Sequence, residues 1–298
     1  MIGMRGADLA RLFALAVLWS ASFVFIRVLA GPLGPVWTAT LRMLVAGVAL
    51  VAVFVVLGWR GDVRRHGRAY LFVGILGSAM PFLLFAWAAQ TLPASYLVIL
   101  NAATPMFVAL IAGVWLDDRL GIAKVVGLVA GASGVALVSR AGPLAPTPEV
   151  VAAVAASLAA ALCYALSGLW LKHRGSALDP KAVAGWSQLF AAAAMLPLAS
   201  QFPIPGPVTP WILANLAALA LLCSAVAYLL YYRLIRDIGP SRALTVTFLM
   251  PALGMLWGAL FLGESVTPAM LGGAALVVAG TIAVLRPAAY AQPARARG

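Results

Sequence analysis

The chain has 298 residues, of which 64% are hydrophobic and only 9% charged, with a formal net charge of +12. A soluble domain carries about 25% charged residues, and one buried core cannot use this much apolar surface, whereas a bilayer solvates apolar side chains on the outside of a fold as well. Nucleic-acid binding, whose footprint is a basic patch on a soluble fold, does not account for the charge, because the basic residues sit in short loops between apolar runs.

A hydrocarbon core of ~30 Å needs roughly 20 helical residues to cross it. Taken in chain order, the apolar runs predict spans at 9–30, 36–58, 69–90, 94–116, 121–140, 150–172, 181–200, 209–233, 239–262 and 267–286. The first run, Leu12 to Leu29, exceeds the 7–15 residues of a signal-peptide core and reads as a retained span. The breaks carry turn chemistry: Gly31-Pro32 with Gly34-Pro35, Pro143 through Pro148, Pro203 through Pro210, and Gly239-Pro240. Alternate loops hold the cations: Arg60, Arg64, Arg65 and Arg68, then Arg119 and Lys124, then Lys172, Arg174 and Lys181, then Arg233, Arg236 and Arg242. Both termini join that set through Arg5, Arg11, Arg286, Arg295 and Arg297. The positive-inside rule then predicts cytoplasmic termini in a bacterial inner membrane, which requires an even number of spans. Residues 288–298 read as a disordered cytoplasmic tail. Cys163 and Cys223 fall inside apolar runs and read as packing residues, and neither a metal site nor a cofactor is expected.

Shifted by 146 residues, the chain partly matches itself. Ser78 meets Ser224, Ser95 meets Ser241, Pro105 meets Pro251 and Leu116 meets Leu262. Asp118 meets Glu264, Gly127 meets Gly273, Gly134 meets Gly280 and Arg140 meets Arg286. This divides the chain into halves at 1–143 and 144–287. Five spans per half is an odd number, so the second half enters the membrane with opposite polarity. The expected fold is an all-α integral membrane protein of ten transmembrane helices in two inverted five-helix repeats. Such repeats recur in secondary transporters with the solute site near the midplane. Two similar halves in opposite orientations have inward-open and outward-open packings of close energy, so alternating access needs little bias.

Several short motifs stand in a fixed order: Trp19-Ser20-Ala21-Ser22-Phe23 with Arg27, then Leu41-Arg42, then Asn101-Ala102-Ala103-Thr104-Pro105 leading to Asp117-Asp118-Arg119-Leu120. Leu249-Met250-Pro251 leading to Leu262-Gly263-Glu264 closes the series. Over roughly 9–286 the chain resembles the drug/metabolite transporter superfamily, and within it the EamA-type ten-helix exporters. The extra Asp117 beside the acid–Arg pair is a mild departure from that pattern. The resemblance implies export of amino acids, other metabolites or toxic compounds, and it selects no solute.

Candidate site residues follow from which groups a membrane interior makes costly. No Asp, Glu, His or Lys falls in the middle of a predicted span. Asp8, Glu149 and Asp179 are expected near water, and Asp117, Asp118 and Glu264 at helix ends. Facilitated diffusion or weakly coupled exchange is therefore expected. Arg42, about two turns into its span, either pairs with a carboxylate or phosphate of the solute or snorkels to the outer interface. Arg27 lies nearer its helix end, where snorkelling is favoured. Trp19, Phe82, Tyr164, Tyr228 and Trp257 lie at middle depths and either hold a solute ammonium by cation–π attraction or pack ordinarily. Ser22, Asn101, Gln188 and Thr247 either hydrogen-bond a zwitterion or bond between helices. The 146-residue shift pairs Gln188 with Arg42 and Thr247 with Asn101, and matched positions are expected to approach one another. Pro81, Pro105 and Pro251 interrupt predicted spans as hinges or kinks. Gly127-x-x-x-Gly131 and Gly254-x-x-x-Gly258 serve internal packing or a homodimer contact.

The expected partners are a small-molecule solute and the lipid bilayer. The reading is a secondary transporter for a small metabolite such as an amino acid, acting in export, with a multidrug or a sugar- or nucleotide-type carrier as the alternative. A membrane enzyme would need acids, His or Cys clustered near one face, and here the acids are scattered. A scaffold protein usually carries larger soluble loops than these.

Overall fold

The computed structural model describes residues 5–59, 63–115, 121–141, 144–175 and 177–285, and every regular element among them is helical. In chain order they are α1 (Gly6–Ala30), α2 (Gly34–Val56), α3 (Val63–Ala88), α4 in two segments (Ala94–Asn101 and Thr104–Trp115) and α5 (Ile122–Ala141). There follow α6 (Pro148–Arg174), α7 (Pro180–Ala199), α8 (Pro210–Ile238), α9 (the turn Pro240–Ala243, then Val246–Leu262) and α10 (Pro268–Leu285). Among the described residues nine helices are long and apolar enough to cross a membrane. The main part of α9 has 17 residues and falls just short, because a break after Ala243 detaches its first turn. Many large apolar side chains face outward, among them Val56, Leu57, Val114, Ile122, Leu260 and Phe261. On a soluble monomer such a surface would aggregate; in lipid it is the solvated face. The protein is an all-α, multi-pass membrane protein.

The helix ends follow from local chemistry. Proline stands in the first turn of α2, α6, α7 and α8, where its missing N–H costs nothing. Thr147, Asp179 and Thr209 cap α6, α7 and α8 by accepting the N–H of Val150, Lys181 and Ile212. Gly239 and Gly263 end α8 and α9 with φ of +84° and +65°, a region that favours glycine.

Three helices are irregular inside. α3 carries a π-helical turn at Ile75–Ala79, just before Pro81, and α8 carries one at Ala218–Val226. α4 breaks at Ala102 and Ala103, and Pro105 opens its second segment. The carbonyl of Ala102 is taken by the Thr281 hydroxyl of α10 at 3.2 Å. Pro251 differs from the expected interruption: it lies inside a continuous helix, and the break in α9 falls upstream at Leu244 and Thr245.

α1 packs on α8 and α9, and α6 packs on α3 and α4. α2 lies on α7 and α8, while α7 lies on α2 and α3; α4 meets α9, and α5 meets α10. Exchanging each helix for its counterpart five places along leaves this pattern unchanged. The α5–α10 seam is built on glycine. A Cβ on Gly127 would lie 2.7 Å from the Gly280 carbonyl oxygen, and one on Gly134 would lie 2.6 Å from that of Gly273. Gly131 abuts Met106, Gly254 abuts Val98, and Gly258 abuts Glu264, so both G-x-x-x-G stripes are used inside the chain.

The charged ends are tied down. Asp8, expected near water, is buried and bonded to Arg11 at 2.9 Å. Arg11 also reaches Asp237 at 3.1 Å, which Arg233 and Arg236 bond as well. Arg27 donates to the carbonyls of Ala89 and Gln90, backbone acceptors just after the end of α3. Glu264 does cap a helix end, but in the other half of the chain: its carboxylate accepts the N–H of Ala94 (2.6 Å) and Ser95 (3.0 Å) and the Ser95 hydroxyl (2.6 Å). Arg60, Leu116 with the Asp117-Asp118-Arg119-Leu120 motif, Pro143, Arg286 and the expected tail lie outside the described residues.

Candidate functional site

At 1.5 Å rise per residue, Arg42 lies ~12 Å along α2 from Gly34. It does not snorkel: the residue is 6% exposed and turns inward between α3 and α8. Its Nε donates to the Ser224 hydroxyl of α8 at 2.9 Å. Its guanidinium carbon sits 3.7 Å above the ring centroid of Phe82 on α3, a cation–π contact. Tyr164 of α6 and Cys223 and Tyr228 of α8 are its electrostatic neighbours, with no carboxylate among them. Among the described residues Nη1 and Nη2 have no hydrogen-bond partner, yet they are not sealed in. A guanidinium keeps its charge in proteins, and an uncompensated buried charge is costly.

Rings extend the site in two directions. Phe85 stacks with Tyr164 at 6.4 Å and meets Phe23 edge-on at 5.3 Å. Along α8, Tyr228 stacks with Tyr232 at 6.2 Å, Tyr232 meets Tyr231 at 5.9 Å, and Tyr231 meets Trp19 of α1 at 5.1 Å. The result is an aromatic-rich interior among α1, α2, α3, α6 and α8 into which Arg42 projects.

Of the residues singled out from sequence, Arg42, Phe82, Tyr164 and Tyr228 come together, and Trp19 joins through the ring series. Ser22 is buried, and its hydroxyl bonds the Trp19 carbonyl of its own helix at 2.6 Å. Trp257 donates to Ser20 at 3.0 Å, tying α9 to α1. Gln188 is buried on α7; its amide nitrogen returns to the Ala184 carbonyl at 3.3 Å, and its Oε1 has no partner. Asn101 ends the first segment of α4, where its carbonyl accepts the Thr104 hydroxyl. Thr247 opens the main part of α9 and bonds the Leu244 carbonyl at 2.8 Å. Among the described residues no hydrogen bond joins Arg42 to Gln188 or Asn101 to Thr247, so the expected approach of these matched pairs is not seen as direct bonding.

The sequence reading missed Ser224 as a site group, although its match to Ser78 under the 146-residue shift was the available signal. The same shift relates Phe82 to Tyr228 and Phe85 to Tyr231, so one helix face of α3 and its counterpart on α8 carry matched side chains. A separate basic depression of about 730 Å³ at the head of α3 holds Arg64, Arg65, His66 and Arg68 beside Phe190. It belongs to the charged loop end and lies ~20 Å along α3 from Phe82 at the helical rise. Among the described residues no group of His, Cys, Asp and Glu could hold a metal ion.

A multi-pass helical membrane fold with a buried arginine among aromatic rings fits the class of membrane transporters. The model of the EamA-like transporter family matches the chain twice, over residues 9–140 and 151–286, and the chain belongs to that family; it is a transporter and not an enzyme. It is similar to "Uncharacterized transporter YvbV" of Bacillus subtilis (strain 168), 24% identical over 287 residues that cover 95% of this chain and 93% of the relative. It is also similar to a "Probable terminal-alkyne amino-acid exporter" of Streptantibioticus cattleyicolor, 27% identical over 272 residues, covering 91% and 90%. A crystal structure of a protein 19% identical shares the fold with a TM-score of 0.66, covering 94% of this chain and 96% of that one.

Proposed function

We propose that the chain exports an amino acid or a closely related zwitterion across the bacterial inner membrane by alternating access, with the solute carboxylate held by Arg42. The observation that carries this reading is a buried guanidinium whose Nε and ring face are engaged while its two terminal nitrogens are free. A carboxylate docks on that edge with two parallel hydrogen bonds. The rings of Tyr164, Tyr228 and Trp19 then offer surface to an apolar side chain and π faces to an ammonium. The amino-acid exporter among the relatives supports the solute class. An inward-facing arginine disfavours the cationic-drug alternative.

Alternating access draws support from the α5–α10 seam. Gly127 meets Gly280 and Gly134 meets Gly273, so the two helices run antiparallel there. The 146-residue shift turns each pair into the other. A two-fold relation that exchanges antiparallel helices has its axis perpendicular to them, which for spanning helices lies in the membrane plane. This supports inverted halves at 1–143 and 144–287. Cytoplasmic termini are supported by the exposed Arg64, Arg65, Arg68, Lys172 and Arg174 in alternate loops. Because among the described residues no carboxylate faces Arg42, we read the transport as facilitated diffusion or weakly coupled exchange.

Counterflow in proteoliposomes with a panel of L-amino acids, sugars and cationic drugs tests the reading, run with and without a pH gradient. Amino-acid exchange in the wild type and its loss in Arg42→Ala are expected. Unchanged exchange in Arg42→Ala, or uphill transport driven by a pH gradient, refutes the corresponding part.

A further inference from the structure

We propose that Ser224 is a positioning residue for solute binding: it aims the guanidinium of Arg42. The proposal rests on the reading of Arg42 as the carboxylate-binding group. Ser224 and its counterpart in the other half, Ser78, are buried and fall inside the two π-helical turns. Such turns are rare inside α-helices and recur at functional sites.

The proton accounting fixes the direction at Ser224. A serine hydroxyl has one proton and two lone pairs. Ser224 gives its proton to the Leu219 carbonyl, five residues back, at 3.2 Å. An α-helical serine bonds back three or four residues, so this acceptor comes with the wider turn. A lone pair is left facing Arg42, and Nε donates to it. Phe82 fixes the plane of the guanidinium, and Ser224 fixes its rotation within that plane. With both in place, the edge carrying Nη1 and Nη2 is the one presented to the interior. Without the Ser224 oxygen, Nε becomes an unmet buried donor, and the guanidinium gains by turning to another acceptor.

The test is counterflow with the L-amino acid that the wild type exchanges fastest from a panel of twenty, compared with the amide of that amino acid, which lacks the carboxylate. Ser224→Ala is expected to raise KM for the acid on the order of tenfold, the scale of one hydrogen bond to a charged group, with the maximal rate within about twofold of wild type. The KM for the amide should not move, so acid-over-amide selectivity shrinks by the same factor. Ser224→Cys keeps the volume but is a weak acceptor, and it should behave as Ser224→Ala. Ser224→Thr keeps the oxygen and should restore selectivity.

A merely structural serine would change acid and amide by one factor. That outcome, or unchanged KM in both Ser224→Ala and Ser224→Cys while Arg42→Lys abolishes selectivity, overturns the positioning role and leaves the Arg42 reading standing. Unchanged selectivity in Arg42→Lys overturns the Arg42 reading itself. Absence of exchange for every amino acid in the wild type overturns both.

Discussion

Replacing Gly280 by alanine tests how the α5–α10 seam is held. A Cβ there would stand 2.5 Å from the Gly127 carbonyl oxygen and 2.8 Å from the Gly131 nitrogen. Ordinary van der Waals contact begins at 3.4 Å, and both neighbours are backbone, so no side chain can swing aside. The helices must separate by most of an ångström, and overpacking of this kind costs about 1–3 kcal/mol. Alanine recovers up to about 1 kcal/mol of helix propensity over glycine, so Gly280→Ala should fall about 1–3 kcal/mol below a substitution that gains the propensity without the clash. The control is Gly168→Ala in α6, where nothing lies within 4 Å and only the propensity gain applies. Thermal unfolding of the purified protein in detergent reads the difference, at about 2–4 °C per kcal/mol for a chain of this order of size. Gly280→Ala should melt several degrees below Gly168→Ala, which should melt at or above wild type. Gly134→Ala, its counterpart, should cost as much as Gly280→Ala, because its Cβ meets the Gly273 carbonyl oxygen at 2.6 Å. A Gly280→Ala protein that melts with Gly168→Ala refutes the close-packed seam, and a large inequality between Gly280→Ala and Gly134→Ala refutes its two-fold character.

Three other substitutions read separate features. Glu264→Ala removes the acceptor for three donors at the head of α4, and a loss of about 2–3 kcal/mol is expected on the scale of charge-assisted hydrogen bonds; Glu264→Gln should recover part of the melting temperature, and no shift in Glu264→Ala would mean the cap carries no stability. Gln188→Met deletes the unpartnered buried Oε1 and should raise stability by about 1 kcal/mol in the same melt, while amino-acid exchange falls if that oxygen serves the solute; a lower melting temperature refutes the first half. Trp257→Phe loses the bond to Ser20 and should cost about 1 kcal/mol or slightly more; a melt unchanged from wild type would show that α1 and α9 do not depend on it.

The ten spans were legible because lipid imposes one requirement on every one of them, a run of about 20 apolar residues. The proline breaks marked where α6 and α8 begin, whereas the caps Thr147, Asp179 and Thr209, local signals that need no tertiary context, went unread. What escaped reading is what a partner helix decides. The π-helical turns at 75–79 and 218–226 insert one residue into Ala- and Leu-rich segments, with no composition cue in the second of them. The break in α9 falls at Leu244 and Thr245, while the proline that announced a break, Pro251, sits in an unbroken helix. Glu264 was legible as a helix cap, but the helix it caps lies about 170 residues away in sequence. At the site, a charged residue in an apolar run marked Arg42 at once, whereas Ser224 looks like any other small helix residue until α2 is packed beside α8.

The symmetry of the scaffold and the asymmetry of its lining have different consequences. Ser78, Phe82 and Phe85 on α3 and Ser224, Tyr228 and Tyr231 on α8 are counterparts spaced to share one helix face, so the halves present similar walls. On the proposed alternating-access reading, similar walls would keep the two packings close in energy. The charge is not shared: Arg42 has the neutral Gln188 as its counterpart. Had both positions been arginine, two uncompensated cations would repel across one apolar interior, and no single solute carboxylate could offset both. On the proposed reading, one cation would give a zwitterionic solute a defined polarity in the site, with its carboxylate toward α2. Introducing a second guanidinium by Gln188→Arg should therefore reduce amino-acid counterflow at least tenfold and lower the melting temperature, by the logic that buried unpaired charges cost several kcal/mol. A Gln188→Arg protein that folds and exchanges like wild type would mean that the interior is wet enough to screen the charge, and the single-cation argument would fall with it.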